Sequence, residues 1–326
     1  MTAAPLLSVQ NLTTEFHSPR TPIARALENV TFDVMPGQTV GLVGESGCGK
    51  TTTLMSIMRL LPSTGRITAG KVLFKGTDLL RISERQMRAY RWKEMAIIFQ
   101  GAMNALNPVM KVGDQIREAM ILHDMMDVSR AEKRVGDLLE MVGIPGSRKD
   151  QYPHQYSGGM RQRAMIAMAL ACAPDLIFAD EPTTALDVMI QAQVLSLLRE
   201  IQKALGLAIV LVTHDLGVVA ETCDSVVVMY GGKVAEYGPA DAIFNHAQHP
   251  YTRQLLAAFP DLNRPLNTLA SIPGTPPRLT DLPTGCRFHP RCRDRIEICP
   301  QIDPSRTETA PEHYVACHLC QNGVRP

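Results

Sequence analysis

The stretch GLVGESGCGKTT at residues 41–52 constrains the fold of this 326-residue chain more than any other. Gly44, four variable residues and then Gly49-Lys50-Thr51 follow a short apolar run at 40–43 and precede the helical pattern TTTLMSIMRLL. A strand that ends in such a loop and resumes as a helix points backbone N–H groups at an anion, and its glycines let the main chain come close. The spacing is that of a phosphate loop, so Gly44, Glu45, Ser46, Gly47, Cys48, Gly49, Lys50, Thr51 and Thr52 are candidate nucleotide contacts. Lys50 is expected to reach the β- and γ-phosphates, and the Thr51 hydroxyl to bind Mg²⁺. Cys48 reads as a small residue filling a variable position.

The continuation repeats that plan. DLIFADEPTTALD delivers Asp180 and Glu181 at the end of an apolar run, where a parallel sheet presents groups to its ligand. Asp180 is expected to hold Mg²⁺, and Glu181 to orient or deprotonate the water of an in-line phosphoryl transfer. LAIVLVTHD brings His214 to a strand end, where its imidazole suits the γ-phosphate and the water. Gln100, closing AIIFQ, is a neutral amide suited to Mg²⁺ and water without adding charge. In YSGGMRQR, Ser157, Gly158 and Gly159 stand at a predicted helix N-terminus, a second anion-binding arrangement. One nucleotide needs one phosphate loop, so the second helix start implies two chains sharing each nucleotide.

Between these motifs, strands are expected at 7–17, 27–44 (broken by Pro36-Gly37), 176–179 and 207–212, with a hairpin at 225–238 turning on Gly231-Gly232. Helical periodicity fills 112–142, 158–173 and 188–205. Alternating strands and helices mean an α/β fold around a mostly parallel sheet. Twelve of the 23 prolines follow residue 249, which sets the end of the chain apart. The expected division is a nucleotide-binding domain at 1–248, with a helical subdomain at about 101–173, and a C-terminal extension at 249–326.

Taken in order, these residues resemble the ATP-binding subunits of ABC transporters: Walker A at 44–52, the Q-loop at Gln100, the signature at 156–160, Walker B at 176–181, the D-loop at 185–187 and the switch His214. The resemblance implies a P-loop ABC ATPase with a β-rich N-terminal subdomain, a helical subdomain and a head-to-tail dimer closing over two ATP molecules. It puts Phe16 where an aromatic stacks on adenine, although a strand residue in a core reads almost as well. It also makes the region around Gln100, including NALNP at 104–108, the surface that grips a membrane subunit. YPHQYSGGMRQR, HPYTRQLL and GCRFHPRC look like the dipeptide, oligopeptide and nickel importer branch. Met160 departs from the superfamily's usual Gln but matches that branch, and Gly101 stands where an acidic residue is common.

The implied partners are a second ATPase subunit, identical or paralogous, two transmembrane permease subunits and, indirectly, a substrate-binding protein. The implied role is the ATP-hydrolysing motor for uptake of peptides, nickel or other small solutes. The expected place is peripheral, on the cytoplasmic face of the inner membrane. An exporter ATPase, a soluble ABC-type ATPase for repair or translation, and a small-molecule kinase are the competing readings. The formal net charge of +1, without a block of five like charges, points away from nucleic acid and from a polybasic anchor. The N-terminus lacks the basic start and apolar core of a secretory signal.

Five of the eight cysteines lie at or beyond residue 286. In a reducing compartment such clustering favours a metal over disulfides. Cys286, Cys292, Cys299 and Cys317 supply four thiolates, enough for a [4Fe–4S] cluster or tetrahedral Zn²⁺, and the resemblance implies the iron–sulfur site. Cys320 is a spare or an alternative fourth ligand.

Overall fold

The computed structural model describes residues 4–19, 21–101, 105–123, 127–184, 186–258 and 272–321. The chain divides into two units, one of Met1–Val34, Val40–Leu80 and Thr213–Pro326, the other of Met35–Thr39 and Arg81–Val212.

In the first unit, β1 (Leu7–Ser18) lies between antiparallel neighbours β2 (Thr21–Val34) and β4 (Gly65–Phe74), with the short β5 (Thr77–Asp78) at the edge. Leu7 and Val9 face Phe74 and Val72 across β4, and all four are fully buried. Several register shifts interrupt the pairing of β1 and β2, as bulges do where a strand bends. A second set of strands is built on β3 (Thr39–Val43), whose residues Val40 to Val43 pair in parallel with Ser225 to Val228 of β9 (Ser225–Tyr230). Both strands are buried along their whole length, which is why they read as unbroken apolar runs rather than alternating ones. β9 returns as β10 (Lys233–Pro239) through Gly231 and Gly232, whose φ angles of 53° and 85° suit glycine.

The C-terminal residues extend this sheet. β12 (His313–Val315) pairs with β10, and β11 (Thr307–Ala310) pairs with β12. Glu236 on β10 is fully buried and ties the pieces together. Its carboxylate accepts hydrogen bonds from the Gln248 N–H (2.8 Å), the His249 N–H (3.1 Å) and His313 Nε2 (2.8 Å). Burial pushes its pKa up, but the hydrogen bonds, led by His313, outweigh that and hold it below the ordinary carboxylate value. Helices α1 (Lys50–Ile57), α7 (Leu216–Thr222), α8 (Ala240–His246), α9 (Pro250–Ala257) and α10 (His318–Gln321) complete the unit. In α9 the HPYT motif has a local logic: His249 Nδ1 caps the Tyr251 N–H at 3.0 Å, and Pro250 takes the first helical position, where no N–H is needed.

In the second unit, β6 (Met95–Ile98), β7 (Leu176–Asp180) and β8 (Ala208–Val212) run parallel, Ala179 standing opposite both Ile98 and Leu211. α2 (Glu84–Tyr90) opens on a capping box of Ser83 and Gln86. The periodicity at 112–142 resolves into α3 (Val112–His123) and α4 (Val128–Met141), the latter capped by Asp127. Ala131, Val135, Leu138 and Leu139 form the buried stripe of α4, each leucine contributing about 1.5–3 kcal/mol. α5 (Gly158–Ala169) and α6 (Val188–Leu205) follow, and α6 ends at Gly206 in the left-handed conformation of a C-cap. Among the described residues, no helix is long and apolar enough to cross a membrane.

Candidate nucleotide site and the thiol cavity

The residues singled out by sequence divide between the units. Phe16, residues 44–52 and His214 fall in the first; Gln100, Ser157, Gly158, Gly159, Asp180 and Glu181 fall in the second.

The loop between β3 and α1 has the predicted strand, loop and helix order. Gly44 takes a φ of 144°, and a Cβ there would sit 2.2 Å from the Met229 carbonyl oxygen, so only glycine fits. Gly49 caps α1 with a φ of 107°. Lys50 is buried, and its ammonium donates to the carbonyls of Gly44 (2.7 Å) and Glu45 (3.1 Å), which folds the side chain along the loop. Thr51, Ser46 and Gly47 are exposed and Thr52 is half-buried. Burial raises the pKa of the Cys48 thiol despite the adjacent Lys50, so it stays neutral, in keeping with a space-filling role. Phe16 is half-buried on β1 opposite Ala24 and Gly65. His214 is exposed, one residue before Asp215, whose carboxylate caps α7.

In the second unit, Asp180 ends β7 and is almost fully buried. Glu181 follows with a φ of 45°, the left-handed region, which turns the chain sharply at the strand end. Its carboxylate accepts hydrogen bonds from Gln100 Nε2 (2.7 Å) and the Thr184 hydroxyl (2.9 Å). Two neutral side-chain donors thus help fix the orientation of the carboxylate. Sequence reasoning named Gln100 and Glu181 separately and missed Thr184, although the EPTT spacing of three residues was a usable signal. Ser157 caps α5 by accepting from the Met160 N–H, and a Cβ on Gly159 would meet Ile190 Cγ2 at 2.8 Å. The surface expected around 104–108 begins at Asn104, and the D-loop at Ala185; both residues lie outside the described ones.

Two C-terminal residues reach the phosphate loop. The Glu45 N–H donates to the hydroxyl of Tyr251 at 3.0 Å, and the Glu45 carboxylate takes both ends of the Arg291 guanidinium, at 2.6 and 2.9 Å. Tyr251 is fully buried among Tyr230 (ring centroids 4.6 Å apart) and Phe288 (5.3 Å). Arg287 anchors the same segment on Glu28 and the Gly231 carbonyl.

Cys286, Cys292, Cys299 and Cys317 line one small cavity together with His249, His289, His318 and Asp294. Among the described residues, no three His, Cys, Asp or Glu side chains stand at metal-holding geometry. The four cysteines thus share a cavity without standing at ligand geometry. An all-thiol donor set fits an iron–sulfur cluster or zinc. Burial pushes Cys286 up to about 11 and Cys292 up to about 12. Cys317 is lowered by a hydrogen bond from the Cys320 thiol, which keeps its own proton.

Comparison with known proteins bears on the family and on the nucleotide-binding part of the chain. The family model described as ABC transporter matches residues 27–184, and the one described as oligopeptide/dipeptide transporter, C-terminal region, matches residues 235–299. The dipeptide transport ATP-binding protein DppD of Bacillus subtilis (strain 168) is 49% identical over 317 residues, 96% of this chain and 94% of the relative. The oligopeptide transport ATP-binding protein OppD of Escherichia coli (strain K12) is 44% identical over 314 residues, 96% of this chain and 92% of the relative. Among solved structures, the ATP-binding cassette MJ0796, a dimer in a post-hydrolysis state bound to ADP and Pi, aligns with a TM-score of 0.64 at 27% identity, over 72% of this chain and 98% of that one. With a relative at 49% identity along almost its whole length, the chain belongs to the ABC transporter family as one of its ATP-binding, ATP-hydrolysing subunits.

Proposed function

We propose that this ATPase powers uptake of peptides, acting as one of a pair of such subunits, identical or paralogous, beneath two transmembrane permeases and served by a substrate-binding protein. It works peripherally at the cytoplasmic face of the membrane, on a nucleotide-binding domain at 1–248 whose helical part spans about 101–173. The names of its relatives, with dipeptides and oligopeptides as cargo, support peptides over nickel. The extension at 249–326 largely contains the stretch matched as a peptide-transporter C-terminal region, which favours this branch over an exporter.

The roles follow from the side chains. Residues 44–52 cradle the phosphates with backbone N–H groups, Lys50 turning from its loop carbonyls to the β- and γ-phosphates. Phe16 lies against the adenine. Thr51, Asp180 and Gln100 each carry a hard oxygen donor of the kind Mg²⁺ takes, and the ion would neutralise charge developing on the γ-phosphoryl group. Glu181 positions and deprotonates the attacking water, and His214 donates to the γ-phosphate. Ser157, Gly158 and Gly159 present the N-terminus of α5 to the nucleotide of the second subunit. Binding draws two subunits together and hydrolysis releases them, so nucleotide state becomes mechanical work on the permeases.

The observation that carries this reading is the Glu181 carboxylate, held by two neutral donors at the end of β7. Glu181→Gln is expected to keep ATP binding, lose turnover by about 10²–10⁴-fold, and accumulate as a closed dimer. Steady turnover in that variant refutes the assignment. Uptake of a labelled dipeptide, lost when the gene is deleted and restored by wild type but not by the variant, tests the cargo.

The thiol cavity is proposed to hold a [4Fe–4S] cluster on Cys286, Cys292, Cys299 and Cys317, with Zn²⁺ the alternative. Its role would be structural or regulatory: ligands from residues 286 to 317 would be joined at one point. Brown absorbance with iron and sulfide after anaerobic purification, lost in Cys292→Ser, is expected. Stoichiometric zinc without iron overturns the cluster.

A further inference from the structure

The two motifs left over by the catalytic reading, HPYT and GCRFHPRC, converge on one residue of the phosphate loop. Glu45 is an acidic residue in a loop whose ligand is a polyanion. Its main-chain N–H is held by Tyr251 of the first motif and its carboxylate by Arg291 of the second. Arg291 itself has little freedom. Its side chain is 6% exposed, its Nε donates to the Pro273 carbonyl at 2.7 Å, and Nη1 also reaches the Tyr230 hydroxyl at 3.3 Å. Its backbone N–H is fastened to the Phe288 carbonyl at 3.0 Å, and Phe288 is buried beside Tyr230 and Tyr251. A planar guanidinium fixed from behind offers two parallel donors in one orientation, which an ammonium on a flexible stem cannot reproduce.

We propose that Arg291 is a positioning residue of the nucleotide site: it neutralises Glu45 and fixes the second residue of the phosphate loop, making the C-terminal extension part of the ATP site. The proposal rests on the reading of residues 44–52 as nucleotide contacts. Without the arginine, the Glu45 carboxylate repels the triphosphate and the loop loses one of its two C-terminal tethers. Both effects weaken binding of nucleotide, whereas Glu181 and its two donors, which perform the chemical step, are untouched.

The test is a double-mutant cycle on the full-length protein, with ATP affinity read by calorimetry and hydrolysis by phosphate release. Arg291→Ala is expected to raise the Kd and KM for ATP about tenfold, equivalent to about 1.4 kcal/mol, with kcat within about twofold of wild type. Arg291→Lys keeps the charge but not the fork, and is expected to lose about threefold. It also supplies the measurement should the alanine variant fold poorly. Introducing Glu45→Gln into either arginine variant is expected to recover most of the lost affinity, because no carboxylate then remains for the full guanidinium fork to hold. A purely structural role for Arg291 predicts the same loss with Glu or Gln at position 45, and that result overturns the proposal. Wild-type affinity in Arg291→Ala also overturns it, provided Lys50→Ala abolishes binding. Wild-type protein that binds no ATP overturns both the proposal and the phosphate-loop reading beneath it.

Discussion

Replacing Glu236 by Gln tests how the C-terminal extension is fastened. The carboxylate of this fully buried residue receives two main-chain N–H groups, from Gln248 and His249, and His313 Nε2. The two main-chain donors approach different oxygens. Whichever way a Gln side chain is turned, its NH₂ group therefore faces one of them. His313 can change tautomer to suit an amide, but a peptide N–H cannot. The minimum loss is one hydrogen bond to a charged acceptor, with a buried N–H left unsatisfied, for about 3 kcal/mol in all. That corresponds to about a 100-fold fall in exchange protection if the turn at 248–249 opens locally. Amide hydrogen exchange at pH 7 reads it directly. The peptide covering 246–256 should lose protection in Glu236→Gln, while β6, β7 and β8 keep theirs. Protection at 248–249 within about threefold of wild type, or an equal loss everywhere, refutes the reasoning.

Acid should loosen the same region. Burial pushes His249 down to about 4 from an ordinary 6.5, so the folded protein holds it neutral while the unfolded chain takes up a proton between those values. Its contribution is complete above pH 6.5 and falls by about 3 kcal/mol as pH drops towards 4. Glu236, with its folded value lowered, adds stability that is present above the unfolded carboxylate value and is lost on further acidification. Protease resistance of 249–257 is therefore expected to fall between pH 6.5 and 4; a flat profile removes the buried neutral histidine. Gly44→Ala should abolish ATP binding and lower the melting temperature, since its Cβ would lie 2.2 Å from the Met229 carbonyl oxygen; full ATP affinity would contradict that clash. Gly159→Ala should cost about 1–3 kcal/mol by thermal melting, and Ile190→Ala should restore much of it; additive losses would remove the α5–α6 contact as the cause.

The parts of this protein that were legible in its sequence are those written within about 20 residues. The glycine spacing of the phosphate loop, the Gly231-Gly232 turn and the apolar runs of β3, β7 and β8 each state their conformation locally. β4 was not read, because half of its residues are exposed, four of them consecutive, and the apolar alternation is broken there. β11 and β12 are too short to announce themselves. The Gln100–Glu181 contact joins residues 81 apart and the Arg291–Glu45 pair residues 246 apart, and neither partner has a local pattern that names the other. Tyr251 and Arg291 were visible only as members of motifs whose task was unknown. Their partner is a residue that sequence reading had assigned to nucleotide alone.

The distance between Glu45 and Arg291 also has a meaning in time. A ribosome adding 5–20 residues per second takes roughly 12–50 s to pass from one to the other. Until those residues are made, the phosphate loop has its carboxylate without Arg291 and, for most of the interval, its main-chain N–H without Tyr251. By the proposed role of Arg291, a nascent chain is then a poor ATP binder, and full affinity arrives only once the tail has been synthesised and docked. Nucleotide binding thereby becomes a report that the segment carrying Arg291 has been made and has docked.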